Sequence, residues 1–237
     1  MFLVEKKQNR KEKKVKDKKS KKQTTKKFEG PPLSIRSTTK IFMTVKRTLR
    51  PNQKKWIEEI GLGSILDLNV DIIPSRLAYG IVDNIDTENM EIRTTNGVIK
   101  VNEEAASEIM GFKNEGIDID AFNTDIEWNP ILEGWRKQFG EKLIRQNDLS
   151  KIITESEIVD WNFKLSFIVL FVNAIVDTMK MGTCSTNILA HLPKDLNFKN
   201  VNWCNYICDH AKHSKAGWPK KFNKNFFYTG PIAFLMV

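Results

Sequence analysis

The sequence is poor in residues that cross-link secreted proteins. Its 237 residues include only three cysteines, Cys184, Cys204 and Cys208, with no regular spacing. An odd number of irregularly spaced cysteines argues against a disulfide framework. The chain also contains no Asn-x-Ser/Thr glycosylation acceptor, and charge begins at Glu5, too early for a signal-peptide core. These absences predict a reducing compartment, the nucleus or, as an alternative, the cytoplasm.

The sequence also lacks a long hydrophobic run. Its most apolar stretch extends from Leu165 to Val176, while a membrane-spanning helix needs roughly 20 residues. Lys164 precedes this stretch, and Asp160 and Asp177 flank it. The pattern therefore predicts a buried core helix and no membrane interaction.

Positive charge is concentrated at one end of the chain. The net charge is +9, but residues 1–27 contain 13 lysines and arginines and 3 acidic residues, a net charge of +10. The rest of the chain is therefore nearly neutral. A segment with few apolar residues and strong self-repulsion does not bury enough surface to fold. We expect a disordered lysine-rich arm over residues 1–33, because Pro31 and Pro32 mark a boundary, followed by one domain over residues 34–237.

Residues 34–50 are basic and rich in serine and threonine, and are interpreted as a lead into this domain. A series of helices is predicted after them from apolar periodicity and capping residues. These helices extend over about residues 51–60, 74–81, 102–111, 131–143, 159–179, 187–192 and 202–215. Gly61 is predicted to terminate the first, which explains Gly61-Leu62-Gly63-Ser64 better than a phosphate-binding loop does.

A β-hairpin is the clearest local signal. The runs from Met90 to Thr94 and from Val98 to Val101 flank Asn96-Gly97. This dipeptide between β-branched runs predicts a tight turn in which both residues have positive φ. The fold class predicted is therefore mainly α with a small β-hairpin, an α+β fold in one helical domain.

Several short motifs resemble a known family. The run Asn96 to Gly111, NGVIKVNEEAASEIMG, combines a hairpin strand with an acidic-capped helix that ends in glycine. Further motifs are GLGSILDL from Gly61, WRKQF from Trp135, FKLSFIVLFV from Phe163, Asn202-Trp203-Cys204, Gly217-Trp218 and Gly230-Pro231. Together they are similar to the plant transposon-associated domain of unknown function found upstream of ubiquitin-like (SUMO) cysteine protease domains. That domain is related in pattern to the aminotransferase-like plant mobile domain.

The resemblance implies a nuclear, transposon-derived protein but no catalytic residue. The protease domain of that family uses His, Asp and Cys in this order, with Cys in Asp-Cys-Gly. This chain has no Asp-Cys-Gly, and His191, His210 and His213 all follow Cys184. Pyridoxal phosphate would need a Schiff-base lysine, a pyridinium partner and a phosphate cradle, and this set is not located. The prediction is therefore no catalysis, no cofactor and no metal.

The lysine run is the first candidate site for a partner. It contains two clusters that fit a short nuclear-import signal and would also contact phosphates non-specifically. The candidate residues are Lys13, Lys14, Lys16, Lys18, Lys19, Lys21 and Lys22. An import receptor is the first expected partner and nucleic acid the second. A solvated tail without function is the alternative.

Metal and nucleophile hypotheses are weaker. Cys204, Cys208, His210 and His213 fall in one predicted helix, where the cysteines and histidines point to different faces and cannot close around one zinc ion. Cys184 lies at a predicted turn or helix start, which would lower its pKa, but no acid is placed to orient His191 as a base. These residues are interpreted as structural.

An acidic segment lies at the middle of the chain. It contains Asp118, Asp120, Asn123, Asp125 and Glu127. A calcium-binding loop of the helix–loop–helix type would place Phe122 at a ligand position, and Phe cannot ligate. A solvated loop is predicted.

Tryptophan is frequent, with six residues. Aromatic residues interleaved with lysines are typical of single-strand binding surfaces. Such a pattern occurs near the C-terminus, where it comprises Trp218, Lys220, Lys221, Phe222, Lys224 and Phe226. Core residues with a hydrated rim are the favoured alternative.

Three hypotheses remain for the function. The first is a non-catalytic, transposon-derived nuclear interaction domain that binds protein or nucleic acid. The second is the N-terminal, non-catalytic portion of a SUMO cysteine protease whose enzyme half is absent from this chain. The third is a degenerate gene fragment, suggested by the apolar end from Phe226 to Val237.

Overall fold

The fold is built mainly from helices, with one small antiparallel sheet near the middle of the chain. The structure, a computed structural model, describes residues 30–34, 39–70, 72–119, 129–178, 182–192, 195, 197–219 and 221–237. The predicted class, mainly α with a small β element, is confirmed. Residues 1–29 of the lysine-rich arm lie outside the described residues, as does most of the acidic segment after Asp118, so the arm and the acidic loop stay predictions. Within the described residues, no helix combines the length and apolar character needed to span a bilayer.

The first helix of the described residues, α1 (Thr39–Thr48), was not predicted. It is rich in basic residues and threonine, but Phe42, Met43 and Val45 form an apolar face that is buried. The interpretation of residues 34–50 as a lead-in is therefore wrong from Thr39 onward. A second helix, α2 (Pro51–Glu59), follows as predicted, with proline in its first turn.

Gly61 follows α2 with a φ of +81°. This left-handed conformation ends the helix and confirms the capping role predicted for Gly61. A 3₁₀ turn (Gly63–Leu66) comes next. Helix α3 (Ser75–Asp83) then leads into the sheet and buries Ala78 and Val82.

The sheet has three antiparallel strands in the order β1 (Ile85–Asp86), β2 (Glu91–Thr94) and β3 (Gly97–Lys100). The predicted hairpin is confirmed, and β1 is an addition. The predicted turn geometry is wrong. Thr94 pairs with Gly97, so Thr95 and Asn96 form the turn, and only Gly97 has a positive φ.

The side chain of Thr94 explains the difference in turn geometry. Its hydroxyl donates to the Gly97 carbonyl at 2.9 Å and accepts from the Asn96 N–H at 3.2 Å. The turn is closed by this side chain, so Asn96 does not need a left-handed conformation.

The middle of the chain forms three helices. Helix α4 (Glu103–Met110) begins as predicted, because Asn102 Oδ1 accepts from the Ala105 N–H at 3.0 Å, and it ends at left-handed Gly111. Helix α5 (Pro130–Lys137) is shorter than predicted, since the chain turns at Gly140, where φ is +56°. Helix α6 (Gln146–Glu155) was not predicted at all.

The most apolar stretch forms the centre of the core, as predicted. Helix α7 (Trp161–Phe171) continues into a π-helical turn (Val172–Val176), and every residue from Leu165 to Val176 is buried. It is shorter than predicted at both ends. Asp160 caps its start by accepting from the Phe163 N–H, and the backbone leaves the helical region at Asp177.

Aromatic residues from distant helices pack on α7. Phe42 lies 5.9 Å from Phe167 and Trp56 lies 5.6 Å from Phe163, measured between ring centroids. Such pairs add about 0.5–1.5 kcal/mol each beyond the area they bury. Helices α5 and α6 contact α7 directly.

The C-terminal part completes the fold with three helices. The short α8 (Ile188–His191) and the longer α9 (Trp203–Ala216) lie where the sequence predicted them. The apolar C-terminal segment forms α10 (Ile232–Leu235), in which Ile232, Ala233 and Phe234 are buried. Helix α10 packs on the π-helical turn of the centre and contacts α3 and α4.

Candidate functional site

The tryptophans divide into core and surface residues. Trp56, Trp135 and Trp203 are buried, which confirms the core alternative for these three. Trp161 is 37% exposed, and the Lys164 ammonium lies 4.7 Å from its ring centroid. Trp128 lies outside the described residues. Trp218 is half-buried and belongs to an aromatic cluster at the surface.

This cluster is a surface formed by Tyr79, Trp218, Phe222 and Phe226, which we call the aromatic platform. Tyr79 comes from α3, and the other three come from the segment after α9. The ring centroids of Tyr79 and Trp218 lie 5.4 Å apart, and those of Tyr79 and Phe222 lie 5.8 Å apart. Phe226 lies 5.5 Å from Trp218 on a perpendicular plane. Phe222 is 49% exposed, so the platform presents aromatic surface to solvent.

Asp83, the last residue of α3, anchors the platform. Its carboxylate accepts from the Trp218 indole N–H at 2.9 Å, and its backbone carbonyl accepts from the Lys215 ammonium at 2.9 Å. The Lys215 ammonium also lies 5.6 Å from the Trp218 ring centroid. Burial lowers the pKa of Lys215, and Asp83 partly offsets this shift. Asp83 therefore fixes the indole and a cation in one orientation.

Further cations surround the platform. Lys221 and Lys224 flank Phe222, and Arg76 lies on α3 one turn before Tyr79. All three are exposed, and no carboxylate of the described chain forms an ion pair with them. Lys220 lies outside the described residues. Exposed rings beside unpaired cations can stack on bases and contact phosphates.

Tyr79 is the platform residue that the sequence did not predict. It precedes Trp218 by 139 positions and belongs to a helix without lysine. Burial raises the pKa of Tyr79, and Asp83 adds to the shift, so the phenol stays neutral at physiological pH. Only the tertiary contact between α3 and the C-terminal segment places it beside Trp218.

The four proposed zinc ligands all lie on α9, as predicted. Cys204 and Cys208 are buried thiols, and burial raises the pKa of Cys204 to about 11 and that of Cys208 to about 12. His210 is buried against the Tyr206 ring, and His213 is exposed. In the described part of the chain, no group of three or more His, Cys, Asp and Glu residues is arranged to hold a metal ion.

Cys184 lies in the loop before α8, not at a helix start. Its backbone N–H donates to the Ile144 carbonyl at 2.6 Å. Burial and the nearby Asp148 raise the pKa of Cys184 to about 12, opposite to the shift that a helix N-terminus would produce. The thiol is therefore protonated at neutral pH and is a poor nucleophile.

A comparison with protein families places the chain. A family model described as a domain of unknown function, DUF8566, matches residues 35–236. The chain belongs to the DUF8566 family. No curated protein and no solved structure matches it. The description of the family names no activity, so a function can be inferred only from the residues and surfaces of the domain.

Asn202 is a buried polar residue of the DUF8566 domain, and its side chain hydrogen-bonds to three segments of the chain. It is 6% exposed, and its Oδ1 caps α9 by accepting from the Asn205 N–H at 3.1 Å. Its Nδ2 donates to Glu103 Oε2 and to Asp118 Oδ1, both at 3.1 Å. One side chain therefore joins α9, the start of α4 and the segment before residue 119.

Backbone contacts bring the two segments beside Asn202 together. Ile117 and Val201 form a parallel bridge, and a Cβ on Gly116 would lie 2.5 Å from the Asn200 carbonyl oxygen. Glycine at position 116, where φ is +125°, allows this approach. The motif Asn202-Trp203-Cys204 of the DUF8566 domain is thus a packing and capping motif.

Replacing Asn202 with alanine should lower the free energy of unfolding by about 2 kcal/mol, because a cap and buried hydrogen bonds to carboxylates are both lost. Asn102→Ala is the matched control, since it removes the cap of α4 alone and should cost about 1 kcal/mol. Urea denaturation followed by circular dichroism measures both. Equal losses in the two variants would show that the contacts of Asn202 with Glu103 and Asp118 contribute nothing.

Proposed function

We propose that this chain is a non-catalytic interaction module that binds single-stranded nucleic acid through the aromatic platform. The observation that carries the proposal is the packing of Tyr79 against Trp218 and Phe222 beside the unpaired cations of Lys221 and Lys224. Aromatic faces stack on bases regardless of sequence, and adjacent cations contact the phosphates. The platform rings are inclined to one another by 55° to 89°, so each stacks separately on an unpaired base, whereas the bases of a duplex are already stacked on each other.

The lysine-rich arm supplies the second part of the proposal. Residues 1–27 carry a net charge of +10 and would add non-specific phosphate contacts. The same lysines, among them Lys13, Lys14, Lys18 and Lys19, fit a nuclear-import signal. We infer a nuclear location and an import receptor as a further partner, for which the charge pattern is the support.

We also infer that this domain is related to the plant transposon-associated domain that its motifs resemble. The motifs that carry this resemblance lie largely in the core, where Leu62, Ile65, Trp135 and Trp203 are buried. A shared set of packing positions supports a shared fold. The transposon origin is inferred from the resemblance alone.

The experiment is fluorescence anisotropy of the full chain with a labelled 20-nucleotide oligo-dT strand and with a 20-base-pair duplex. We expect the single strand to bind more tightly than the duplex. Phe222→Ala should weaken binding of the single strand about tenfold at every salt concentration, because one stacking contact is lost. Phe222 suits the test because it is the most exposed ring of the platform.

Two further variants separate the contributions. Trp161→Ala is the matched control and should leave affinity unchanged. Trp161 is also an exposed ring beside a lysine, Lys164, but both lie on α7 and not in the platform. Replacing the seven candidate lysines of the arm with glutamine should flatten the salt dependence, because fewer counterions are released. The proposal fails if Phe222→Ala binds like the unmodified chain, or if Trp161→Ala loses as much affinity.

A further inference from the structure

A cleft of about 730 Å³ opens on another part of the surface, beside the connection between α5 and α6. It is separate from the aromatic platform, which is formed by α3 and the segment after α9. Its volume lies within the range of about 300–1,000 Å³ that is typical of ligand sites. No step of the proposed nucleic-acid binding uses it.

The floor of the cleft is apolar. Phe139 and Ile152 line it and are half-buried, and Leu143 lines it with 70% of its surface exposed. Phe139 packs on Trp135, whose ring centroid lies 5.0 Å away and whose plane is inclined by 66°. Trp135 is itself fixed by donation from its indole N–H to Ser166 Oγ at 3.0 Å. The floor therefore rests on the core, and Leu143 offers apolar surface to a ligand.

The rim of the cleft has an excess of available positive charge. Lys142 and Arg145 form no ion pair with any carboxylate in the described chain. The three cations of the rim, Lys142, Arg145 and Lys151, outnumber its two carboxylates, Asp148 and Glu155, so the rim has a net charge of +1. Asp148 accepts from the Arg145 backbone N–H at 2.8 Å, and Glu155 lies 3.9 Å from the Lys151 ammonium.

We propose that this cleft binds an acidic peptide segment of a partner protein, with a large apolar side chain of the peptide over Leu143 and Phe139 and its carboxylates on Lys142 and Arg145. Charge complementarity defines the flanks of the ligand, and the apolar floor defines its centre. The cleft is open to solvent, so an extended peptide can reach its lining residues. This inference does not depend on nucleic-acid binding at the platform.

The test measures the affinity of the full chain for two fluorescein-labelled octapeptides. The first is Glu-Asp-Leu-Phe-Asp-Leu-Glu-Asp, and the second replaces its three apolar residues with serine. Both have the same charge, so attraction to the basic arm is equal for both. We expect the apolar peptide to bind about tenfold more tightly, which corresponds to partial burial of one large side chain.

Variants assign that preference to the cleft. Arg145→Glu and Leu143→Asn should each reduce the ratio of the two affinities to near one, and both residues are exposed, so the fold is retained. Lys212→Glu, an exposed charge reversal on α9, is the matched control and should leave the ratio unchanged. A ratio near one in the unmodified chain overturns the proposal.

A second result would also overturn it. If Arg145→Glu weakens binding of the oligo-dT strand at least as much as Phe222→Ala does, while the peptide ratio is unchanged, the cations of the cleft contact phosphates and not peptide carboxylates. The two experiments together distinguish failure of the peptide site from failure of the platform, since each uses its own probe and its own variant.

Discussion

Replacing Asn173 with alanine is expected to lower the free energy of unfolding by about 3 kcal/mol. Asn173 is fully buried in the π-helical turn after α7. Its Nδ2 donates to the Val169 and Ser185 carbonyls, and its Oδ1 accepts from the Ser185 N–H, all at 2.8 Å. Alanine removes these three hydrogen bonds, and each buried polar group that is left without a partner costs about 1–3 kcal/mol. The smaller side chain also leaves a cavity in the core.

The measurement is urea denaturation of the full chain, followed by circular dichroism. Asn162→Ala is the matched control, because Asn162 lies on α7, which continues into this turn, but is exposed, and its contact with Gln138 spans 3.4 Å. Its free energy of unfolding should change by less than about 0.5 kcal/mol. If the two variants unfold at the same urea concentration, Asn173 does not hold the 182–185 segment to the core.

Asn173 also illustrates what local sequence patterns can predict. The apolar stretch around it identifies the central helix, and Asn102 identifies the start of α4, because its capping contact reaches a residue only three positions away. The role of Asn173 depends on Ser185, twelve positions away in an irregular loop. No periodicity indicates such a contact, so the sequence presents Asn173 only as an interruption.

The elements that the sequence did not predict share a physical cause. Helices α1 and α6 carry lysine, threonine and glutamine among their buried residues, so polar residues interrupt their apolar faces. They are stabilised by packing against the rest of the core, and α6 contacts both α1 and α7. Helical propensity and apolar periodicity are weak predictors of a helix that is stabilised mainly by its tertiary contacts.

The candidate site was predictable only in part. Trp218, Phe222 and Phe226 are close in sequence and interleave with lysines, so their pattern was visible. Tyr79 and Asp83 are brought to them by the tertiary fold. Likewise, the cleft beside α6 depends on a helix that the sequence did not predict, so neither its apolar floor nor its unpaired cations could be grouped in advance.

Acid is expected to destabilise the fold through His210. This residue is 6% exposed, and its ring centroid lies 4.5 Å from that of Tyr206. Burial, with a smaller contribution from His213, lowers the pKa of His210 from 6.5 to about 4. Above pH 6.5 the imidazole is neutral in both the folded and unfolded states, so the full stability is present.

Below pH 6.5 the unfolded chain binds a proton at this histidine, while the native chain does not until the pH approaches 4. The free energy of unfolding therefore falls as the pH decreases through this window, by about 3 kcal/mol at pH 4. Below pH 4 both states are protonated, and this contribution to the slope ends.

His210→Gln isolates the effect, because glutamine cannot titrate. Carboxylates also respond to acid, but they are present in both proteins, so they cancel in the difference between the two stability curves. We expect the two curves, measured by urea denaturation between pH 7.5 and pH 4, to converge as the pH falls. His213→Gln, which removes an exposed histidine on the same helix, should run nearly parallel to the unmodified chain. Parallel curves for His210→Gln would mean that the buried imidazole is not held in its neutral form, and that α9 accommodates a charge at this position without opening.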